Sequence, residues 1–262
     1  MVSDLLLVNK LIRLNRKYFD QGLYFPPMKN KCTLVTFTDA SWATRRDSSS
    51  QGGQITLLME EGALNGCKPP FHVISWSSRR LKRVARSSTS AETQMCANAL
   101  DLHEFVKLSF LELESPKPLV LANSDLFLSR WKTCMIVDAK NVFDAVCKIE
   151  TAGLQLEEKR TAIELLAIKQ RLQQALVDLR WVNSDQQMSD ALTKPWQHEG
   201  LIRALQESMW RIVYDPSYQS AKRVRALKQS QQNPEMYALY CLWDLATETS
   251  LEARENFDRC EF

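Results

Sequence analysis

A change of rhythm along the chain constrains its fold more than any other feature. Three runs rich in β-branched and aromatic residues come first: Thr33–Ala40 (TLVTFTDA), Gln54–Met59 (QITLLM) and Phe71–Trp76 (FHVISW). Polar links join them, one running from Thr44 to Gln54 with Gly52 and Gly53, the other from Gly62 to Pro70. Consecutive strands with short polar links predict an antiparallel meander. Beyond them, strand-like runs alternate with helical periodicity. A long helix is predicted after Ser87–Ser90, where Glu92 follows Thr89 by three positions as in a capping box and Met95, Cys96, Ala99, Leu102 and Val106 form an apolar stripe. Then come a buried strand Thr133–Val137 (TCMIV), a helix Ala139–Cys147, a second long helix Glu157–Leu176 burying Ile163, Leu166, Ile168 and Leu172, a short strand Leu179–Val182, and a short helix Gln186–Lys194 stopped by Pro195. Strand, helix, strand implies parallel crossovers. The prediction is an α/β fold with a mixed five-stranded sheet, three antiparallel strands then two parallel, flanked by helices.

The flanks read differently. Val2–Arg16 is an amphipathic helix followed by the break at Pro26 and Pro27, while His198–Val213 and Glu235–Thr247 read as helices of a C-terminal extension, separated by the basic stretch Ala221–Lys228. The expected organisation is therefore a connecting segment 1–31, a domain 32–196 and a helical extension 197–262.

Composition removes several classes of function. Only 7 glycines are present, with no GxGxxG or GxxxxGK[ST] string, which argues against a glycine-rich phosphate loop. The 7 cysteines are scattered without a CxxC, and the 3 histidines form no HxxxH pair, so free thiols are expected and a zinc site is not. No stretch reaches the roughly 18 uninterrupted apolar residues of a membrane span, and the N-terminus lacks a signal-peptide layout, so a cytoplasmic or nuclear, non-secreted protein is expected. A net charge of +3 is too mild to identify a nucleic-acid binder by itself.

Four acids stand at the ends and starts of predicted elements. Asp39 closes the first strand with the side-chain parity of Val35 and Phe37, and Asp138 closes TCMIV with the parity of Ile136. Glu92 extends the buried stripe of its helix, and Asp190 lies in the last short helix. Taken singly, each reads as a cap or turn residue. Together they could converge. Clustered carboxylates repel unless a cation holds them, and oxygen ligands without His or Cys select Mg²⁺ or Mn²⁺.

Four blocks, in order, carry a family resemblance. TFTDASWA (Thr36–Ala43), ISWSSRR (Ile74–Arg80) with RSSTSAET (Arg86–Thr93), IVDAKNVFDAV (Ile136–Val146) and LRWVNSDQQMSDALTKP (Leu179–Pro195) are similar to successive blocks of the ribonuclease H domain of copia-type LTR retrotransposon Pol polyproteins. Asp4–Pro26 resembles the connection preceding that domain in the polyprotein. The resemblance implies a ribonuclease H-like fold, with Asp39, Glu92, Asp138 and Asp190 as catalytic and metal-binding residues. It further implies hydrolysis of the RNA strand of an RNA–DNA hybrid with two Mg²⁺ or Mn²⁺ ions, Asp39 touching both. Its partners would be the hybrid and the reverse transcriptase polymerase domain, with no membrane, and its compartment a cytoplasmic virus-like particle or the nucleus. Two departures stand out. The link Ser115–Lys132 is longer than usual, and Asn183–Gln187 lacks the histidine that many cellular ribonucleases H carry there.

Arg79, Arg80, Lys82, Arg83 and Arg86, with Ser87 and Ser88, lead into Glu92 and are the expected nucleic-acid contacts, whereas Lys222, Arg223, Arg225 and Lys228 of the tail read as a solvated helix and Trp196 and Trp210 as packing residues. Two alternatives compete with the active nuclease. A transposase or integrase on a related fold would place its Glu on a late helix, not on the first long one. A decayed or domesticated copy would only bind nucleic acid or a polymerase partner.

Overall fold

The computed structural model describes residues 2–20, 22–116, 118, 123–148, 158–194 and 198–213. Five strands form one sheet: β1 (Cys32–Ser41), β2 (Gln51–Glu60), β3 (Phe71–Arg80), β4 (Thr133–Val137) and β5 (Val177–Trp181), in the order β3-β2-β1-β4-β5. β1 pairs antiparallel with β2 and β2 with β3, while β4 runs parallel to both β1 and β5. This is the mixed five-stranded sheet, three antiparallel strands then two parallel, expected from the change of rhythm. β1 lies at its centre because the meander grows outward on one side and the crossovers return to the other. Seven helices accompany it among the described residues: α1 (Val2–Lys17), α2 (Ser88–Glu114), α3 (Ser124–Leu128), α4 (Lys140–Lys148), α5 (Lys159–Gln174), α6 (Asp190–Thr193) and α7 (His198–Glu207).

Alternation along the strands divides the core in two. One face carries Met135 and Val137 against Met95, Cys96 and Ala99 of α2, Val142 of α4 and Leu165, Ile168 and Leu172 of α5. The other buries Val35, Phe37, Ile55, Leu57 and Ile136 against Met188, Ala204 of α7 and Ile212. Packing of this second face therefore continues past residue 196: Leu201 and Leu205 join it, and the amide of Phe71 donates to the Ser208 carbonyl at 2.9 Å.

Several local expectations shift. Gly52 and Gly53 are not turn residues but lie within β2, opposite Ala40 and Asp39. β3 continues to Arg80, so Arg79 and Arg80 stand on an edge strand. Helix α2 is capped by Ser87, whose hydroxyl accepts from the Ser90 amide at 3.1 Å; Glu92 is thus one turn inside the helix and not part of a capping box. Ile163, expected in the core, is 66% exposed because α5 turns Thr161, Leu165, Ile168 and Leu172 inward instead. The last helix reduces to a 3₁₀ turn Ser184–Gln186 and the single turn of α6. α7 ends at Glu207 rather than Val213. The long link holds the short helix α3. Cys32, Cys67, Cys96 and Cys134 are free thiols. Trp196, the basic stretch 221–228 and the helix expected over 235–247 lie outside the described residues. No helix among the described residues is long and apolar enough to cross a membrane.

Candidate metal centre

The site is built where β1 and β4 end side by side. Their parallel register pairs Phe37 with Ile136, and two further residues along each strand bring Asp39 level with Asp138 on the same face. Asp39 is almost fully buried, at 1% exposure. Glu92 comes from the first turns of α2, where one carboxylate oxygen accepts from the Ala40 amide at 3.1 Å. Carboxylate oxygens of Asp39, Glu92 and Asp138 lie within 4.8 Å of one another, a triad able to hold a metal ion.

Asp190 reaches the same neighbourhood differently. It opens α6, and its Oδ1 accepts from the Lys194 ammonium at 2.7 Å, which in turn stands 3.7 Å from Oδ1 of Asp39. The other oxygen of Asp190 is buried and has no hydrogen-bond partner among the described residues. Three of the four expected acids therefore share one cluster, and the fourth is joined to it through a lysine.

Two adjacent glycines let the flanking helices close on this point. A Cβ on Gly53 would lie 2.7 Å from Cβ of Leu192, 2.9 Å from Cγ2 of Thr193 and 3.2 Å from the Ser189 carbonyl, so only a residue without a side chain allows α6 against β2 there. On the opposite face, Gly52 makes the same room for Met95 of α2.

Residues the sequence reading left unassigned hold the acids in place. The Thr193 hydroxyl donates to Oδ2 of Asp39. The Ser184 hydroxyl donates to Oδ2 of Asp138 at 3.0 Å, and the Trp181 indole N–H to the Asp138 carbonyl at 2.9 Å. Thr193 and Lys194 stand three and four positions after Asp190, the spacing that puts residues on one side of a helical turn; that signal was available in the sequence. Ser184 carried none, because only the fold of the loop aims it.

The electrostatics show how strongly the clustered carboxylates act on one another. Burial, then repulsion from Asp39 and Asp138, pushes the Glu92 carboxyl well above its ordinary range. Asp138 is raised by burial and by Asp39. Burial and Asp39 raise Asp190 to about 7 against the pull of Lys194. Burial would lower Lys194, but Asp39, Asp190 and Asp138 outweigh it and hold the ammonium above its usual value. Carboxylates that raise one another in this way are relieved by a cation, and an all-oxygen donor set suits a hard divalent ion.

The residues expected to contact nucleic acid lie on β3 and on the segment between β3 and α2. Across the sheet Ala40 pairs with Gly52 and Gly52 with Arg79, so Arg79 lies two strands from β1, about 10 Å away. Arg79, Lys82, Arg86 and Ser88 are exposed. Arg80 pairs with Asp47 at 3.2 Å, Arg83 with Glu164 of α5, and Ser87 is spent on the helix cap.

No protein-family profile matches the chain. Over 169 residues, 63% of its length, it is 27% identical to the Retrovirus-related Pol polyprotein from transposon RE1 of Arabidopsis thaliana. The chain is thus similar to a segment of a retrotransposon Pol polyprotein. That match covers only 10% of the relative's length. Solved structures similar to the chain include a ribonuclease H1 isolated from compost (12% identity, 64% of this chain and 98% of that one, TM-score 0.40). A foamy viral protease–reverse transcriptase in complex with RNA/DNA hybrid (12% identity, 68% and 21% coverage, TM-score 0.41) and a PFV RNase H domain (15% identity, 65% and 95% coverage, TM-score 0.36) are also similar. The fold is read from the chain's own strand order.

Proposed function

We propose that this domain hydrolyses the RNA strand of RNA–DNA hybrids, with Asp39, Glu92, Asp138 and Asp190 holding two Mg²⁺ or Mn²⁺ ions. The observation that carries the reading is the approach of the Asp39, Glu92 and Asp138 oxygens to within 4.8 Å at the ends of adjacent parallel strands. The residues fit hard cations: every donor is a carboxylate, Glu92 and Asp138 are pushed up by burial and mutual repulsion, and a buried Asp190 oxygen lacks a partner. Bound there, the ions would supply a water of lowered pKa and positive charge beside the leaving oxygen.

The remaining tasks fall to the chain's own groups. Thr193 fixes the tilt of the Asp39 carboxylate, Ser184 that of Asp138, and the Ala40 amide that of Glu92. Exposed Arg79, Lys82, Arg86 and Ser88 contact phosphates, which position a duplex without reading its sequence. Arg80 and Arg83 join them only by leaving Asp47 and Glu164. The 2′-hydroxyls distinguish the RNA strand. Because the matched relative is a Pol polyprotein, the polymerase domain of such a polyprotein is the proposed protein partner.

The test is single-turnover cleavage of a labelled hybrid in Mg²⁺, alongside hybrid affinity, for the parent and Asp39→Asn. Cleavage by the parent that vanishes in Asp39→Asn, with affinity kept or increased, supports the reading. Cleavage that survives in Asp39→Asn overturns it. No cleavage by the parent and equal binding by both chains would leave a nucleic-acid-binding module.

A further inference from the structure

Lys194 faces two acids of the centre at once. Helix α6 is a single turn, Asp190–Thr193, and Lys194 follows directly, so its side chain returns along the face that carries Asp190. The ammonium lies 2.7 Å from Oδ1 of Asp190 and 3.7 Å from Oδ1 of Asp39. The two carboxylates are 5% and 2% exposed, the lysine 35%. Two buried anions this close repel each other, and the ammonium between them offsets that repulsion. Glu92 and Asp138, which complete the triad with Asp39, are less buried than it is, and neither pairs with a basic residue among the described ion pairs.

Resting on the metal-dependent reading above, we propose that Lys194 is a resident counter-cation: it holds Asp39 and Asp190 together in the metal-free protein and must leave before a divalent ion can bridge them. A divalent ion held by Asp39 and Asp190 would compete with the ammonium for the charge of the same two carboxylates. The lysine has a way out, since its long stem is already one-third exposed and can carry the charged head to solvent. Asp190 keeps a second, buried oxygen with no partner, and that oxygen is ready for the incoming ion. Binding is therefore stepwise. The first ion takes the triad, and the second is weakened by the work of expelling the lysine. Lys194 is a positioning residue whose charge sets the order and spacing of the two affinities.

The experiment is Mn²⁺ binding to the full chain, counted by electron paramagnetic resonance and by calorimetry, with melting followed in chelator. The parent is expected to bind one ion tightly and a second at least about tenfold more weakly. Lys194→Met should bring the second affinity up by about that factor and lower the metal-free melting temperature. Lys194→Arg should behave like the parent. The double variant Lys194→Met with Asp190→Asn should regain the lost metal-free stability, which keeps the test decisive if the single variant folds poorly. Equal affinities for both ions in the parent, an unchanged second affinity in Lys194→Met, or a Lys194→Arg chain that matches Lys194→Met would overturn the proposal while leaving a metal centre in place. Absence of any Mn²⁺ binding that Asp39→Asn removes, in the parent and in Lys194→Met alike, would instead overturn the metal-dependent reading itself.

Discussion

Replacing Gly53 with alanine adds one methyl group at a tight contact behind the candidate metal centre. Its Cβ would stand 2.7 Å from Cβ of Leu192, 2.9 Å from Cγ2 of Thr193 and 3.2 Å from the Ser189 carbonyl. Carbon atoms pack at about 3.5–4.0 Å, so α6 must move by roughly 1 Å. None of the three contacts is the far end of a flexible chain, so the strain cannot be relieved by a rotamer change. Overpacking of this kind costs about 1–3 kcal/mol. For a domain of this size each kcal/mol is worth about 2–4 °C, so melting should fall by roughly 2–12 °C. Because α6 also carries Asp190 and Thr193, with Lys194 directly after it, the same displacement should shrink the stabilisation by Mn²⁺. Calorimetric melts with and without the ion read both effects. Gly52→Ala is the control: its Cβ would press on Met95 and Leu81 side-chain ends, away from α6, and should leave the metal response intact. If Gly53→Ala melts like the parent and responds fully to Mn²⁺, α6 is not held by this contact and the account of how the acids converge is wrong.

Other expectations follow from named groups. His103 is fully buried, with Thr36 at 2.8 Å on one ring nitrogen and Thr133 at 2.8 Å on the other, and burial followed by the charge of Lys107 lowers it to about 3. The unfolded chain therefore binds this proton first. Stability is fully present above about pH 6.5 and is lost as pH falls towards 3, by about 1.4 kcal/mol per pH unit, a slope that denaturant titrations should find flattened in His103→Gln. Lys107 is lowered to about 8, mainly by burial, so its own slope lies between about pH 8 and 10.5, with stability increasing as pH rises, and does not overlap that of His103. Gly200 lies in α7 with nothing within 4 Å of a new Cβ, so Gly200→Ala should stabilise the chain by about 0.5–1 kcal/mol; a lower melting temperature would contradict its helical placement. Neutralising Arg79, Lys82 and Arg86 together should weaken hybrid binding and reduce its salt slope by up to about three, whereas an unchanged slope would remove these residues from the phosphate track.

Much of the architecture was legible before any coordinates. β-rich runs in succession and then in alternation with helices prescribe the mixed sheet, since strand connections of those lengths leave few other topologies. Parity along β1 and β4 placed Asp39 and Asp138 with Phe37 and Ile136, and the register of the two strands agrees. Local errors had local causes. The Gly52–Gly53 pair looks like a turn, and only the neighbours packed above and below explain it inside β2. The capping-box spacing at Thr89 and Glu92 was outcompeted by Ser87, whose hydroxyl accepts from the Ser90 amide in the first turn of α2. The apolar Ile163 faces solvent because the axis of α5 was set by Leu165, Ile168 and Leu172.

The sequence by itself determined which residue types were at hand and in what order: four acids at element ends, a basic stretch ahead of α2, and alternation that turned two of the acids to one face. Tertiary structure decided the rest. It brought Glu92 onto the end of β1, spent Arg80, Arg83 and Ser87 on Asp47, Glu164 and a helix cap, and set Lys194 between Asp39 and Asp190. The reason is physical. Periodicity reports which side of its own element a residue occupies, a property of a few neighbouring bonds. The pairing of charges drawn from β1, α2, β4 and α6 depends on distances of a few ångströms fixed only when both cores close around the sheet.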